Sequence, residues 1–485
     1  MLFFLFYEYL EYKFHHKERE RIKMGFISKF FKFEENGTKF SKEVIAGLTT
    51  FFAMVYIIFV NPSILSDAGM PWAGVFLATI FATIIGTLIM GLFANVPYAV
   101  APGMGLNALF TYTVVLGMGF TWQEGLAIVL VSGILNIIIT VTKVRKHIVI
   151  SIPKSLQAAI GGGIGLFIAY IGLINAGFIQ FGAVPGLVDF NSVTVLVAVI
   201  GLVLTIVLLI LKIPGAILIG IIAATIIGIP FGVTDLSGLK NWDFFGSIGT
   251  SFKDLGTTSF AAFEGFGTMF NEWTKIPMVL LAVFAFSLSD TFDTIGTFIG
   301  TGRRTGIFTD EDIDSIENSK GMHSKMEKAL FADSIATSIG AVLGTSSTTT
   351  YVESAAGINA GGKTGFVSVV IAVLFLLMIL LSPIAGIVPP SATAPALIIV
   401  GVMMISAFTD IDWGSFEEVL PVFFTILFMV VTYSITNGIA IGFIVYVLVK
   451  LCTGKFKEIH PIILGSSSIF IVYFILMALK AAGKI

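Results

Sequence analysis

Residues 344–362 read GTSSTTTYVESAAGINAGG, and this stretch decides the fold because it interrupts an apolar region of the chain. The run SSTTTY at 346–351 is rich in hydroxyl-bearing and β-branched residues, which favour an extended backbone. The small residues that follow favour a short helix with Glu353 in its first turn, where the helix dipole favours a carboxylate. Unpaired backbone N–H groups at such a junction are tolerated inside a membrane only where a cavity or a ligand satisfies them.

The composition around this stretch is that of a membrane protein with several spans. Of the 485 residues, 56% are hydrophobic and only 12% are charged, whereas a soluble domain is about 25% charged. The apolar runs are continuous rather than alternating, which excludes a β-barrel and predicts an all-α polytopic fold. The single cysteine, Cys452, excludes an internal disulfide and a cysteine-based metal cluster. We expect no metal, no cofactor and no nucleic-acid partner.

Hydropathy predicts about fourteen spans, and a further apolar stretch at 462–481 is either a fifteenth span or an interfacial helix. The predicted spans are residues 44–65, 72–94, 98–118, 123–142, 157–175, 191–211, 213–232, 277–300, 328–345, 347–359, 364–387, 391–408, 418–435 and 436–452. Counting from a cytoplasmic N-terminus places every basic loop inside, as expected for membrane proteins, and places the loop 233–276 outside on the membrane surface. The basic residues are Lys143, Arg145, Lys146, Lys212, Arg303, Arg304, Lys320, Lys325, Lys328 and Lys363.

The first 23 residues do not have the pattern of a span. Their apolar block is too short, and no small-residue cleavage site of a signal peptide follows it. Two interpretations stay open: either Met24 is the native start, or residues 1–23 form a basic cytoplasmic arm.

A short sequence pattern occurs once in each half of the chain, and we call the residues that the two copies share the echoed residues. IPKSLQAAIGGGIG at 152–165 and VPPSATAPALIIVG at 388–401 share Pro, Ser, Ala and Gly at one fixed offset. Seven predicted spans separate the copies, so they would point in opposite directions, as in inverted repeats that hold a substrate at the membrane midplane. The alternative is that one signal for the start of a helix is used twice.

Four carboxylates lie inside predicted spans, and each such charge costs roughly 2.5–3.5 kcal/mol at the bilayer centre. They are Asp290, Asp293, Asp333 and Glu353. Residues 286–302, FSLSDTFDTIGTFIGTG, form a polar stripe in which Asp293 and Thr297 are one turn apart and could contact one ligand. Two alternatives remain: a polar seam between helices for this stripe, and a backbone partner rather than a proton site for Asp333.

The first half contains a possible counterpart of the opening stretch. Residues 96–110, VPYAVAPGMGLNALF, again join an extended, proline-bounded piece to a short helix, and Gly103 and Gly105 permit a close approach of the backbone. Broken spans at matching places in two halves indicate the binding site of a transporter. The alternative is that the glycines serve close helix packing.

Four motifs resemble signatures of the nucleobase–cation symporter-2 family, most closely its adenine, guanine and hypoxanthine permease branch. They are GLTTFFAMVYIIFVNPSIL (47–65), APGMGLNALFTY (101–112), SDTFDTIGT (289–297) and the opening stretch with its KTG tail (344–365). The resemblance implies two inverted seven-span repeats in which spans 3 and 10 are broken into a short strand and a half-helix. It divides the chain into an N-terminal arm (1–43), a core (44–142 and 277–387), a gate (143–232 and 388–452), an extracellular loop (233–276) and a tail (453–485).

The resemblance also assigns roles to residues. Glu353 and Asp293 match the carboxylates of spans 10 and 8 that contact the base, and Asp333 matches an acid of span 9 that transport needs. Thr50 and Thr297 stand where uracil and xanthine carriers often have histidine, which fits the purine branch. The resulting substrate-binding residues are Thr50, Met104, Gly105, Phe292, Asp293, Thr297, Tyr351, Val352 and Glu353, and the proton-coupling residues are Asp293, Asp333 and Glu353.

These inferences predict a secondary active transporter that imports a purine base by proton symport, with an elevator-like movement of the core against the gate. One proton crossing 100 mV is worth about 2.3 kcal/mol, enough for roughly a 40-fold gradient; Na⁺ is the alternative ion. We expect a homodimer through the gate, in the plasma membrane of a prokaryote with the N-terminus cytoplasmic. The alternatives are an anion, uracil or xanthine carrier of the same architecture, or an intramembrane enzyme. Glu124, at a loop edge, is expected to be a neutral position.

Overall fold

The computed structural model describes residues 25–142, 151–182, 184–188, 190–237, 243–302, 305–312 and 324–482. The arm 1–23 and most of the basic residues used for the orientation lie outside these ranges. These basic residues are Lys143, Arg145, Lys146, Arg303, Arg304 and Lys320. The described chain is mostly helical, with two short pairs of strands.

The first half contains nine helices and three strands among its described residues. The helices are α1 (Gly25–Phe30), α2 (Phe40–Met54), α3 (Ile57–Ser66), α4 (Trp72–Ile89), α5 (Met104–Ala108), α6 (Trp122–Val141), α7 (Lys154–Asn175), α8 (Val193–Ile210) and α9 (Ala216–Gly228). The strands are β1 (Val100–Pro102), β2 (Ile179–Phe181) and β3 (Pro185–Leu187). π-helical turns extend α4 over Met90–Ala94 and α5 over Leu109–Gly117.

The second half has eleven described helices and one strand, β4 (Thr348–Thr350). The helices are α10 (Phe244–Thr258), α11 (Ala261–Thr268), α12 (Ile276–Thr297), α13 (Lys325–Leu343), α14 (Ser354–Asn359), α15 (Phe366–Leu377), α16 (Ser382–Ala385), α17 (Pro390–Met404), α18 (Phe416–Val431), α19 (Ile435–Cys452) and α20 (Pro461–Ala481). A π-helical turn, Phe298–Gly302, extends α12. The predicted loop 233–276 therefore contains two helices, α10 and α11, which pack on α4 and α6.

Every predicted span overlaps a helix or a strand–helix unit, but the number of spans stays a prediction. Among the described residues, ten helices are long and apolar enough to cross a membrane by length and composition. The stretch 462–481 is one of these ten helices and packs against α12 and α19. Four predicted spans give helices of fewer than 18 residues, and α13 is rich in polar and small residues, so hydropathy alone does not decide the count. The four spans are 98–118, 213–232, 347–359 and 418–435.

The two predicted interruptions meet each other. Strand β1 pairs antiparallel with β4, with Val100 opposite Thr350 and Pro102 opposite Thr348. Two further backbone bonds extend the pair, from the Tyr351 N–H to the Ala99 carbonyl at 2.9 Å and from the Gly103 N–H to the Ser347 carbonyl at 3.0 Å. Because the strands are antiparallel, the helices that follow them, α5 and α14, leave from opposite ends of the pair. The strand and short helix expected at each break are both present.

The remaining helices pack in two groups. Helices α2, α4, α6, α12, α13 and α15 contact one another around the strand pair, and helices α7, α8, α9, α17, α18 and α19 contact one another beside them. In the second group, the echoed glycines Gly165 and Gly401 face each other, since a Cβ on Gly401 would lie 2.4 Å from the Gly165 carbonyl oxygen. The echoed prolines Pro153 and Pro389 are the N-caps of α7 and α17.

Glu124, which the sequence predicts to be a neutral position for uptake, has structural contacts at the start of α6. It forms a capping box with Thr121 at the start of α6, where its carboxylate accepts the Thr121 N–H at 2.9 Å. Its other oxygen lies 3.5 Å from the Lys275 Nζ, and the residue is only 3% exposed. A buried carboxylate with both oxygens engaged contributes to stability. That Glu124→Gln leaves uptake nearly unchanged stays a prediction.

Candidate functional site

The carboxylate of Glu353 lies where the second broken segment meets the break between α2 and α3. Glu353 is the N-cap residue of α14, one position before the first turn in which it was expected. The Tyr56 hydroxyl donates to Glu353 Oε1 at 2.5 Å. Tyr56 is 1% exposed, whereas Glu353 is half-buried, so one side of this carboxylate is held and the other remains accessible.

Asp293 opens onto an accessible surface beside Glu353. It is solvent-exposed although it lies within electrostatic range of Asp333 and Glu353 and interacts with the Thr349 hydroxyl. Exposure continues along one face of α12 and its π-helical end, through Gly296 and Gly300. Val352, two residues before α14, and Asn359, the last residue of α14, are exposed in the same way. Two accessible helix faces thus lead from the carboxylates toward the C-terminal ends of α12 and α14.

Asp333 lies behind the strand pair and does not open onto this surface. It is 3% exposed and accepts hydrogen bonds from the Thr294 hydroxyl at 2.9 Å and the Thr350 hydroxyl at 2.7 Å. Thr294 also shares a hydrogen bond with Thr349 at 2.9 Å. Asp333 therefore joins α12, α13 and β4 through two hydroxyl donors.

Asp290 belongs to a different environment from Asp293, one turn away on the same helix. It is buried, and its Oδ2 accepts the Asn136 Nδ2–H at 2.9 Å, while Ser287 donates to the amide oxygen of Asn136. Thr337 lies 3.4 Å from the same carboxylate oxygen. The polar stripe predicted for α12 is thus divided: its Ser287–Asp290 part forms a polar seam with α6 and α13, and its Asp293 part forms an accessible site.

The two predicted threonines are both buried. Thr50 packs against α14, where a Cβ on Gly357 would lie 2.2 Å from the Thr50 Oγ1, and this hydroxyl has no hydrogen-bond partner within the described ranges. Thr297 is turned away from the exposed face of α12. Phe292 is half-buried against the main apolar core and lies next to Asp293.

The first broken segment brings two predicted residues to the strand pair. Met104 begins α5 and is buried. Gly105 contacts α7, because a Cβ there would lie 2.4 Å from Ile164 Cγ2, which matches the alternative reading of close helix packing. The Tyr351 hydroxyl donates to the Pro102 carbonyl at 2.6 Å, so this ring holds the two broken segments together.

Sequence reasoning missed Tyr56. It lies between Met54, where α2 ends, and Ile57, where α3 begins, within the continuous apolar run FAMVYIIFV. This run carries no turn signal, so nothing in the sequence separates Tyr56 from its apolar neighbours. No group of three or more His, Cys, Asp or Glu side chains that could hold a metal ion occurs in the part of the chain that the structure describes.

Comparison with known proteins decides the family. A protein-family model with the description "Permease family" matches residues 41–441 of this chain. The chain belongs to the nucleobase–cation symporter-2 family of permeases. It is therefore an integral membrane permease and not an enzyme, as the motifs indicated.

Several permeases are similar to this chain over nearly its whole length. The adenine permease AdeP of Escherichia coli is 38% identical over 92% of this chain and 96% of its own. The guanine/hypoxanthine permease PbuO of Bacillus subtilis is 39% identical over 91% of this chain and 99% of its own. The guanine/hypoxanthine permease PbuG of the same organism is 38% identical over 92% and 99%, respectively.

Solved structures show a similar fold at low sequence identity. The transmembrane domain of a cyanobacterial bicarbonate transporter, BicA, has a TM-score of 0.58 at 17% identity and covers 82% of this chain and 96% of that domain. The murine anion transporter Slc26a9 in its inward-facing state has a TM-score of 0.57 at 12% identity, covering 92% and 75%. These likenesses concern the fold alone.

Proposed function

We propose that this permease imports a purine base, hypoxanthine, guanine or adenine, by proton symport. The observation that carries the proposal is that Glu353 and Asp293 both open onto one accessible surface beside the paired strands. The names of AdeP, PbuO and PbuG support purines as the substrate class.

The chemistry of the site suits a flat, uncharged base. A purine carries N–H donors and N or O acceptors at its edge. Glu353 and Asp293 can accept from the donors, and the first-turn backbone N–H groups of α5 can donate to the acceptors. The first N–H groups of α14 already donate to the carbonyls of Tyr351, Val352 and Glu353. Phe292 and Val352 supply apolar contact next to the two carboxylates. Tyr56 holds Glu353 Oε1, and the half-buried carboxylate keeps an accessible part for the ligand.

Uptake of a neutral base against its gradient needs a driving ion, and we assign the proton to the carboxylates Asp293, Asp333 and Glu353. Neither Asp293 nor Glu353 is fully buried within the protein, and we assign proton loading to this pair. Asp333 is connected to Asp293 through the hydroxyls of Thr294 and Thr349, so a change of charge at Asp293 affects Asp333 along this hydroxyl chain. A protonophore should then collapse uptake in sodium-free medium. Uptake that survives the protonophore and requires added Na⁺ would replace the proton with Na⁺ as the coupling ion.

For the movement, we propose an elevator-like displacement of the core (44–142 and 277–387) against the gate (143–232 and 388–452). Support comes from the two packing groups, because the site residues lie on helices of the first group. The contact between Gly165 and Gly401 supports two inverted repeats, since equivalent residues meet at a local two-fold axis. Fourteen spans, a cytoplasmic N-terminus in the plasma membrane and a gate-mediated homodimer complete the proposal.

An anion carrier is the second candidate, because the fold is similar to those of BicA and Slc26a9. The charge of the site favours a neutral base instead. None of the ion pairs formed within the described ranges involves Asp290, Asp293 or Glu353, so these three acids are not balanced by a basic side chain there.

The decisive experiment is uptake of radiolabelled hypoxanthine in cells that lack their own purine permeases. Competition by adenine, guanine, xanthine, uracil, cytosine and bicarbonate identifies the substrate. Inhibition by purines alone is expected. Inhibition by bicarbonate, or the absence of any purine uptake by protein present in the membrane, would reject the proposal.

A further inference from the structure

The KTG tail of the opening stretch, residues 363–365, has no role in the proposed chemistry, yet it surrounds a fully buried carboxylate. Glu43, in the first turn of α2, is 0% exposed. Its Oε1 accepts the Lys363 N–H at 2.9 Å and the Thr38 hydroxyl at 2.7 Å. Its Oε2 accepts the Thr364 N–H at 3.2 Å and the Thr364 hydroxyl at 2.7 Å.

These four donors match the capacity of an ionised carboxylate, which accepts about four hydrogen bonds and donates none. Two of the donors are backbone N–H groups, which cannot turn around to accept. A glutamine at position 43 would aim an NH₂ group at donors, and no rotamer would satisfy them all. The tail is therefore built for a carboxylate, not for any polar side chain.

The same tail is held from a second side. The Gly365 N–H donates to Asn95 Oδ1 at 2.8 Å, and Asn95 Nδ2 donates to the Phe31 carbonyl at 3.2 Å. Asn95 has a φ of 53°, in the left-handed region, so its backbone is set to present this amide. Gly361, with a φ of 103°, supplies the turn between α14 and the tail.

Helix α2 and the residues after it thus touch the second broken segment at three levels. Glu43 holds the tail, Ala46 and Thr50 abut Gly357 in the middle of α14, and Tyr56 holds the carboxylate of Glu353. A six-residue helix has little stability of its own, so its position depends on such contacts. Fixing both ends against α2 fixes the direction in which Glu353 points.

We propose that Glu43 is a positioning residue for substrate binding: its hydrogen bonds to residues 363 and 364 set α14, and with it Glu353, in the binding geometry. This inference deepens the proposed function, because it assumes that Glu353 contacts the ligand. Glu43 itself lies at the far end of α14 from Glu353 and does not contact the base.

The test compares Glu43→Gln with Glu124→Gln, a matched control. Both carboxylates are buried, both accept a backbone N–H, and Glu124 caps α6 rather than contacting α14. We expect Glu43→Gln to weaken hypoxanthine binding by the purified transporter about 10-fold or more. Glu124→Gln should lower the melting temperature while leaving the dissociation constant unchanged. Thr364→Val should weaken binding less than Glu43→Gln does. Thr364→Ser, which keeps the hydroxyl, should bind hypoxanthine as the unsubstituted protein does.

A second readout does not depend on the ligand. In a Cys452→Ser background, Val352→Cys places a thiol at an exposed position beside Glu353. Adding Glu43→Gln should change its rate of labelling by a water-soluble maleimide, and adding Glu124→Gln should not. If both glutamine variants only lower the melting temperature, with unchanged affinity and labelling, Glu43 is structural and the inference is rejected. If the unsubstituted protein binds no purine but the labelling result holds, the proposed substrate is rejected and the positioning role stands.

Discussion

The two broken segments share a plan, an extended strand followed by a helix, but they differ in what they contribute. The second segment carries Glu353, ends after a helix of six residues and is held at both ends by α2. The first segment carries no carboxylate between residues 96 and 117, continues through π-helical turns to Gly117 and contacts α7 through Gly105. Under the proposed function, the second segment is a chemical half, which selects the ligand, and the first segment is a mechanical half, which faces the neighbouring group of helices.

The largest effect should come from removing the acceptor of the chemical half. Glu353→Gln should lower hypoxanthine uptake by about 100-fold or more, because a hydrogen bond to a charged group and the pairing of a buried donor are lost together. Uptake is measured against Glu264→Gln, which changes an exposed carboxylate on α11. Accumulation at the normal level, with equal protein in the membrane, would remove Glu353 from the site.

Asp293→Asn should have nearly as large an effect on uptake. Whether accumulation, exchange or both are lost shows whether Asp293 carries the proton. An amide cannot carry the proton, so we expect net accumulation to be lost. Exchange of labelled for unlabelled base across a vesicle membrane, which needs no net proton movement, should persist in part. Loss of both activities would make Asp293 a binding residue only, and retention of both would exclude it.

Gly105→Val tests the mechanical half. Its side chain would overlap Ile164 of α7, and such overpacking costs about 1–3 kcal/mol. We expect the transport rate to fall by about 10-fold while the affinity for hypoxanthine changes little. Gly249→Ala, where a Cβ meets open space, is the control. A change in affinity with an unaltered rate would mean that the first segment also contacts the ligand.

The smallest of these effects should follow from Tyr56→Phe, which deletes only the hydroxyl that holds Glu353. A hydrogen bond to a charged group contributes about 1.5–3 kcal/mol, so the apparent KM should rise by about 10-fold at a nearly unchanged maximal rate. Phe52→Leu, a nearby apolar change, serves for comparison. An unchanged KM would show that Glu353 is positioned by α14 alone.

Much of the site could be anticipated from local signals. The hydroxyl run and the small residues after it predicted the break at β4 and α14, and the Gly-rich stretch predicted its counterpart at β1 and α5. The rarity of charge in spans selected Asp290, Asp293, Asp333 and Glu353. Local signals did not separate Asp290 from Asp293, because the two lie one turn apart on the same polar stripe.

What the sequence determined by itself is the membrane class, the family and the places where helices break, because hydropathy and backbone preference act over a few neighbouring residues. Only the tertiary structure decided which acid is accessible, since Asn136 and Thr337 from distant helices bury Asp290 and leave Asp293 open. It also brought Tyr56 to Glu353, 297 residues away, and Glu43 to Thr364, 321 residues away. Such pairings arise when helices pack across the two halves of the chain, and no pattern within a single span encodes them.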